Sequence, residues 1–248
     1  MQLVTLILVI RTREGIAVVS DTVTTANTTL EIYGEETEVE YHIYKRRKIS
    51  KMHNFAIIHA GLSFVNGKTI TQITDAVHNH EDGIENCSKF VKESILKELK
   101  ADPVIPKLTP ESLIVSIGIV GYHDQKPFVY RIIFFRGKEG EELLDTMESE
   151  DAFVTPFYGI DYFGDYDFVQ MVIRAAKKEN LLKPFDILTI NEALDFARSL
   201  MRFLIEFQKY MVQFTVAYPI ESAIITTDDG FTWVDRMEFN KFHYDDHD

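Results

Sequence analysis

The chain has 248 residues, with 26 Lys+Arg against 39 Asp+Glu and a formal net charge of −13. Such a carboxylate excess excludes the broad basic face that nucleic acid or an anionic membrane requires. A hydrophobic fraction of 46% with 26% charged residues excludes a disordered or collagen-like chain. The single cysteine, Cys87, allows neither an internal disulfide nor a thiolate metal cage, which suits a reducing interior.

Leu3–Ile10 is apolar apart from Thr5, about half the length that spans a bilayer. No basic residue precedes it, so it lacks the form of a signal peptide and a cytoplasmic location is expected. It reads as a strand covered on both faces. Arg11 to Gly15 is a turn, and Ile16–Val19 returns as a second buried strand ending at Ser20-Asp21. Residues 22–45 are polar, with Leu30, Ile32, Val39, Tyr41 and Ile43 alternating around Gly34, which predicts an inserted hairpin. A further strand is expected from Asn54 to His59, ending at Ala60-Gly61.

Helical spacing follows, first in Ile70, Ile73, Ala76 and Val77, then in Phe90, Val91, Ser94, Ile95 and Leu99. Leu113–Val120 and Phe128–Phe135 predict two strands, and 136–163 reads as irregular and partly acidic. Helices are expected from Asp167 to Lys178, and from a Thr189/Glu192 capping box to about Tyr210. Ile220–Thr226 and Phe231–Phe239 close the chain as strands, and 243–248 reads as a flexible tail. With no break in composition, residues 1–248 are expected to form a single domain. Strands joined as hairpins and helices arriving in pairs predict an α+β fold with antiparallel sheets. Strands apolar on both faces then need cover on each side, as in a four-layer αββα sandwich.

Several stretches give this order a likeness. Gly15-Ile16-Ala17-Val18-Val19-Ser20-Asp21-Thr22, Lys48-Ile49 with Phe55–Gly61, the hairpin from Ile117 to Ile132, and Pro219-Ile220-Glu221 with Asp229-Gly230-Phe231 occur in sequence. Together they resemble the proteasome subunits and their bacterial relatives among the N-terminal-nucleophile hydrolases. The resemblance implies a threonine whose hydroxyl attacks a peptide carbonyl while its own α-amine accepts the proton. It places the nucleophile at Thr5, the supporting aspartate at Asp21 sixteen positions on, the lysine at Lys48 and oxyanion support at Gly61. It implies no cofactor and no metal. It also implies peptide or protein substrates, and assembly with copies of itself or related ring subunits.

Three departures bear on activity. Thr5 follows Met1-Gln2-Leu3-Val4, so its nitrogen is an amide with no basic lone pair until that leader is removed, and valine stands where the family places glycine. Gln213-Phe214-Thr215-Val216-Ala217-Tyr218 lacks the carboxylate and hydroxyl of the family's supporting segment, and Gly164-Asp165-Tyr166 replaces a small hydroxyl by a carboxylate. A latent or divergent threonine-type peptidase is therefore expected, with a non-catalytic ring or scaffold subunit as the alternative. A third reading is a metal-dependent amide hydrolase using Asp161, Asp165 and Asp167, although a solvated acidic loop explains those residues more simply. His78, His80, Glu81 and Asp82 have spacing that points to opposite sides of a helix. His59 reads as a cleft histidine that could act as a surrogate base, and Cys87 as a buried helix residue.

Overall fold

The structure, a computed structural model, describes residues 5–32, 35–43, 46–52, 54–76, 84–140, 142–149, 158–164, 167–210 and 216–236, with 24–43 described by their backbone. His78–Asp82, Gln213–Thr215 and the tail 243–248 lie outside these residues.

β1 (Leu6–Arg11) and β2 (Ile16–Asp21) are buried along their whole length. Thr12 closes the turn between them: its hydroxyl donates to the Gly15 carbonyl at 3.0 Å and accepts from the Gly15 N–H at 3.1 Å. β12 (Gly159–Gly164) flanks β1, while β13 (Ile220–Thr226) and β14 (Gly230–Asp235) follow on the other side of β2. A second five-stranded antiparallel sheet runs β11 (Leu144–Ser149), β10 (Lys126–Arg136), β9 (Leu113–His123), β6 (Phe55–Gly61) and β5 (Ile49–Lys51). β3 (Thr24–Ile32) and β4 (Glu35–Ile43) pair with each other as a separate hairpin. A small hairpin, β7 (Phe64–Val65) with β8 (Lys68–Thr69), leads into α1.

The period-2 alternation explains why β1 is apolar throughout. Ile7 and Val9 pack with Ile16 and Val18 against Ile49, Ala56, Ile58 and Val129 of the other sheet. Leu6, Leu8 and Ile10 meet Val169 and Ile173 of α3 (Asp167–Lys178) and Leu194, Ala197 and Met201 of α4 (Ile190–Phe207). On the other sheet, Ile57, Ile117, Ile119 and Ile132 pack with Ile70 and Ile73 of α1 (Ile70–Asp75) and Val91, Ile95 and Leu99 of α2 (Ile84–Ala101). Each such side chain contributes about 1.5–3 kcal/mol when fully buried, so replacing one face of β1 with polar residues would undo an interface rather than decorate a surface.

The capping box expected at Thr189/Glu192 is formed, and a second one starts α1. Thr189 accepts from the Glu192 N–H at 3.2 Å while Glu192 accepts from the Thr189 N–H at 2.9 Å, and Thr69 and Gln72 do the same at α1. The expectation for 136–163 is corrected: this stretch contains β11 and β12. Its aspartates hid the second strand. Asp161 sits on β12 because Arg11 of β1 donates to it through Nε at 2.9 Å, so the carboxylate is an ion-pair partner rather than part of a solvated loop. No described helix is long and apolar enough to cross a membrane.

Candidate active site

The end of β2, the residues before β5 and the start of β1 converge on one carboxylate. Asp21 is fully buried. Its Oδ1 accepts from the Leu6 N–H at 2.9 Å and from Lys48 Nζ at 2.8 Å, and its Oδ2 accepts from the Val23 N–H at 3.0 Å. The peptide linking Thr5 to Leu6 and the Lys48 ammonium therefore share one oxygen. Three of the four expected site residues are brought together: Thr5, Asp21 and Lys48, each no more than 1% exposed.

Burial is the largest influence on both members of the ion pair. It lowers the proton affinity of Lys48 and raises that of Asp21, while their mutual charge and hydrogen bond act in the opposite direction. Taking two such charges out of water costs several kcal/mol per ion before pairing, so the pair is a poor device for stability alone. Glu221 adds a third buried charge, and its field helps Lys48 keep its proton. It stands opposite Ser20 in the β13–β2 register. The sequence signal for it is a lone carboxylate at the start of a strand that runs on through Ala223, Ile224 and Ile225.

Gly164 supplies a contact that motif spacing does not reveal. It pairs with Leu6 at the end of β12 and has φ +90°, and a Cβ there would lie 1.9 Å from the Thr5 carbonyl oxygen. Only glycine permits β12 to approach Thr5 so closely. Gly61, the expected oxyanion support, has φ +111°, and its absent Cβ would lie 2.5 Å from the Ile114 carbonyl oxygen. Its glycine identity is thus accounted for by the approach of β6 to β9.

His59 donates its backbone N–H to the Lys48 carbonyl at 3.1 Å. Burial, with the Lys48 charge, lowers its imidazole pKa to about 3. An imidazole that resists protonation so strongly is a weak proton acceptor, which argues against the surrogate-base role. Its side chain instead lines a cavity of about 350 Å³ together with Arg46, Arg47, Ser63, Thr69 and Thr71. Cys87 is buried on α2 and its thiol is pushed up to about 11, as suits an inert core residue.

No family profile and no curated protein matches the sequence. Solved structures do match over nearly the whole chain. The subunit of the helical assembly of the Anbu complex from Pseudomonas aeruginosa is 12% identical, over 94% of this chain and 88% of that one, with a TM-score of 0.55. Anbu (ancestral beta-subunit) from Yersinia bercovieri is also 12% identical, over 92% and 87%, with a TM-score of 0.51. The Gly-1 mutant of Anbu from Hyphomicrobium sp. strain MC1 is 15% identical, over 93% and 85%, with a TM-score of 0.50.

The chain shares the fold of Anbu proteins. At these identities the likeness carries the fold alone. It corrects the resemblance to proteasome subunits, because the structures that match are Anbu, a distinct and only loosely related family. The stretches behind that resemblance are a glycine turn into a buried strand, a strand ending in glycine, and a closing hairpin. All are demands of the shared architecture, so they cannot separate one family that uses it from another.

Proposed function

We propose that this protein is an Anbu-like threonine-type amide hydrolase, built as a four-layer αββα unit over residues 1–248. The observation that carries the reading is the buried Lys48–Asp21 pair held against the Thr5–Leu6 peptide. Once the bond between Val4 and Thr5 is cut, the new α-amine stands on the residue whose peptide link to Leu6 is joined through Asp21 to the Lys48 ammonium. A nearby positive charge disfavours a second ammonium, so the amine stays a free base able to take the Thr5 hydroxyl proton. The alkoxide character that develops on attack is stabilised by the same charge. Asp21 orients Lys48 for both tasks. Attack gives an acyl-enzyme ester on Thr5 with release of the amine product, and water then hydrolyses the ester.

The test is to prepare the chain with Thr5 as its first residue and to measure peptide hydrolysis. The reading expects turnover that Thr5→Ala abolishes and Thr5→Ser retains. Equal turnover by Thr5→Ala would overturn the nucleophile assignment, and none by the threonine-first chain would leave the scaffold alternative in its place.

The same reading includes assembly with further copies of the chain. On α3 and α4 the rings of Phe168, Phe203 and Phe207 stack, with Phe168–Phe207 centroids 4.7 Å apart, and Met171 and Phe203 remain about half exposed. Light scattering of wild type against Phe203→Asp tests this: the wild type is expected to be oligomeric and the variant to have a smaller assembly mass.

A further inference from the structure

We infer that the cavity beside Lys48 is a subsite for an acidic side chain of a peptide substrate. The inference names the substrate class of the site proposed above and rests on that reading. The chain as a whole is acidic, with 39 carboxylate residues against 26 basic ones. The cavity of about 350 Å³ runs against that composition, because among the described residues two arginines line it and no carboxylate does. Among the described residues the rest of the wall is Ser63, Thr69, Thr71, Gln72 and His59.

The arginines are held in place. Arg46 donates its backbone N–H to the Thr22 carbonyl at 2.8 Å, and its guanidinium lies 4.7 Å from the centre of the Phe64 ring. The Thr71 hydroxyl donates to the Arg47 carbonyl at 2.9 Å. A carboxylate is the group that best satisfies a guanidinium edge, and two guanidinium-bearing residues share this wall. Ser63, Thr69 and Thr71 add hydroxyls to the same wall, and His59 stays neutral there because of its lowered pKa.

The arginines immediately precede Lys48 in sequence, and His59 is hydrogen-bonded to the Lys48 backbone. The cavity is therefore built on the same short stretch that carries the lysine to Asp21. The inferred subsite takes a substrate side chain while the reacting carbonyl meets Thr5.

Binding can be read without turnover. Affinities of N-acetyl-Ala-Ala-Glu-amide, its Gln analogue and its Leu analogue are measured calorimetrically on the Thr5→Ala protein at low salt. The Glu peptide is expected to bind about tenfold more tightly than the Gln peptide, the scale of one hydrogen bond between charged groups. Arg46→Met and Arg47→Met should each erode that preference, and Arg46→Lys, which keeps the charge, should retain most of it. Equal affinity for the Glu and Gln peptides, no binding of either, or a preference that survives both methionine variants would overturn the inference. A failed nucleophile assignment shows instead as hydrolysis by Thr5→Ala, which this comparison does not depend on.

Discussion

His59 offers a prediction whose size follows from the structure. It is 3% exposed on β6, and its pKa falls from 6.5 to about 3 because burial and the Lys48 charge oppose a second cation. In the unfolded chain the imidazole regains its ordinary value near 6.5. Below that pH the unfolded state binds a proton that the folded state refuses. The contribution of His59 is therefore complete above about pH 6.5 and is lost as the pH falls toward 3. Linkage gives a loss of about 2 kcal/mol at pH 5, against about 0.2 kcal/mol at pH 7. The perturbation is His59→Gln, which keeps a polar side chain of similar reach and cannot titrate. Urea unfolding of both proteins at pH 7 and pH 5 should show the wild type losing about 2 kcal/mol more than the variant between the two conditions. Carboxylates elsewhere titrate in both proteins and cancel in the difference. Equal losses would refute the reasoning, because they would mean that His59 accepts a proton within the fold.

Asp21→Asn should cost about 3–5 kcal/mol in urea unfolding at pH 7, since it strips the carboxylate from a buried ammonium. That loss should shrink as the pH rises, because burial already lowers the proton affinity of Lys48 and makes the neutral amine easier to reach. Gly164→Ala should cost about 2–5 kcal/mol through its positive φ and the collision with the Thr5 carbonyl. Gly159→Ala on the same strand, whose Cβ would meet nothing closer than 4.0 Å, should be far milder in the same assay. Thr189→Ala should remove about 1 kcal/mol by opening the capping box of α4, measurable as a shift in the urea midpoint.

Much of the architecture could be read from residue pattern because its signals are local. The capping pair Thr189/Glu192 and the 3–4 spacing of Ala193, Leu194, Ala197 and Met201 fix α4 without tertiary information. Unbroken apolar runs such as Leu6–Ile10 demand cover on both faces, and both receive it. β12 escaped notice because Asp161 looks solvent-bound until Arg11, 150 positions away, is seen to neutralise it. The grouping of Asp21 with Lys48 was accessible through spacing within a resemblance. The contribution of Glu221 and the approach of Gly164 to Thr5 depend on strand pairings between distant segments, which no local pattern encodes. The cavity was missed for a related reason: Arg46-Arg47-Lys48 reads as a surface run until Lys48 is found fully buried.

The central claim is that Thr5 attacks through its hydroxyl while its own amine accepts the proton. A peptide epoxyketone tests both functions in one reagent, because it closes a stable ring only on a residue that presents a hydroxyl and a free α-amine together. Peptide-level mass spectrometry of the treated threonine-first protein should find one adduct, on Thr5, that is absent from Thr5→Ala. An unmodified Thr5 in protein that hydrolyses peptides would contradict the account.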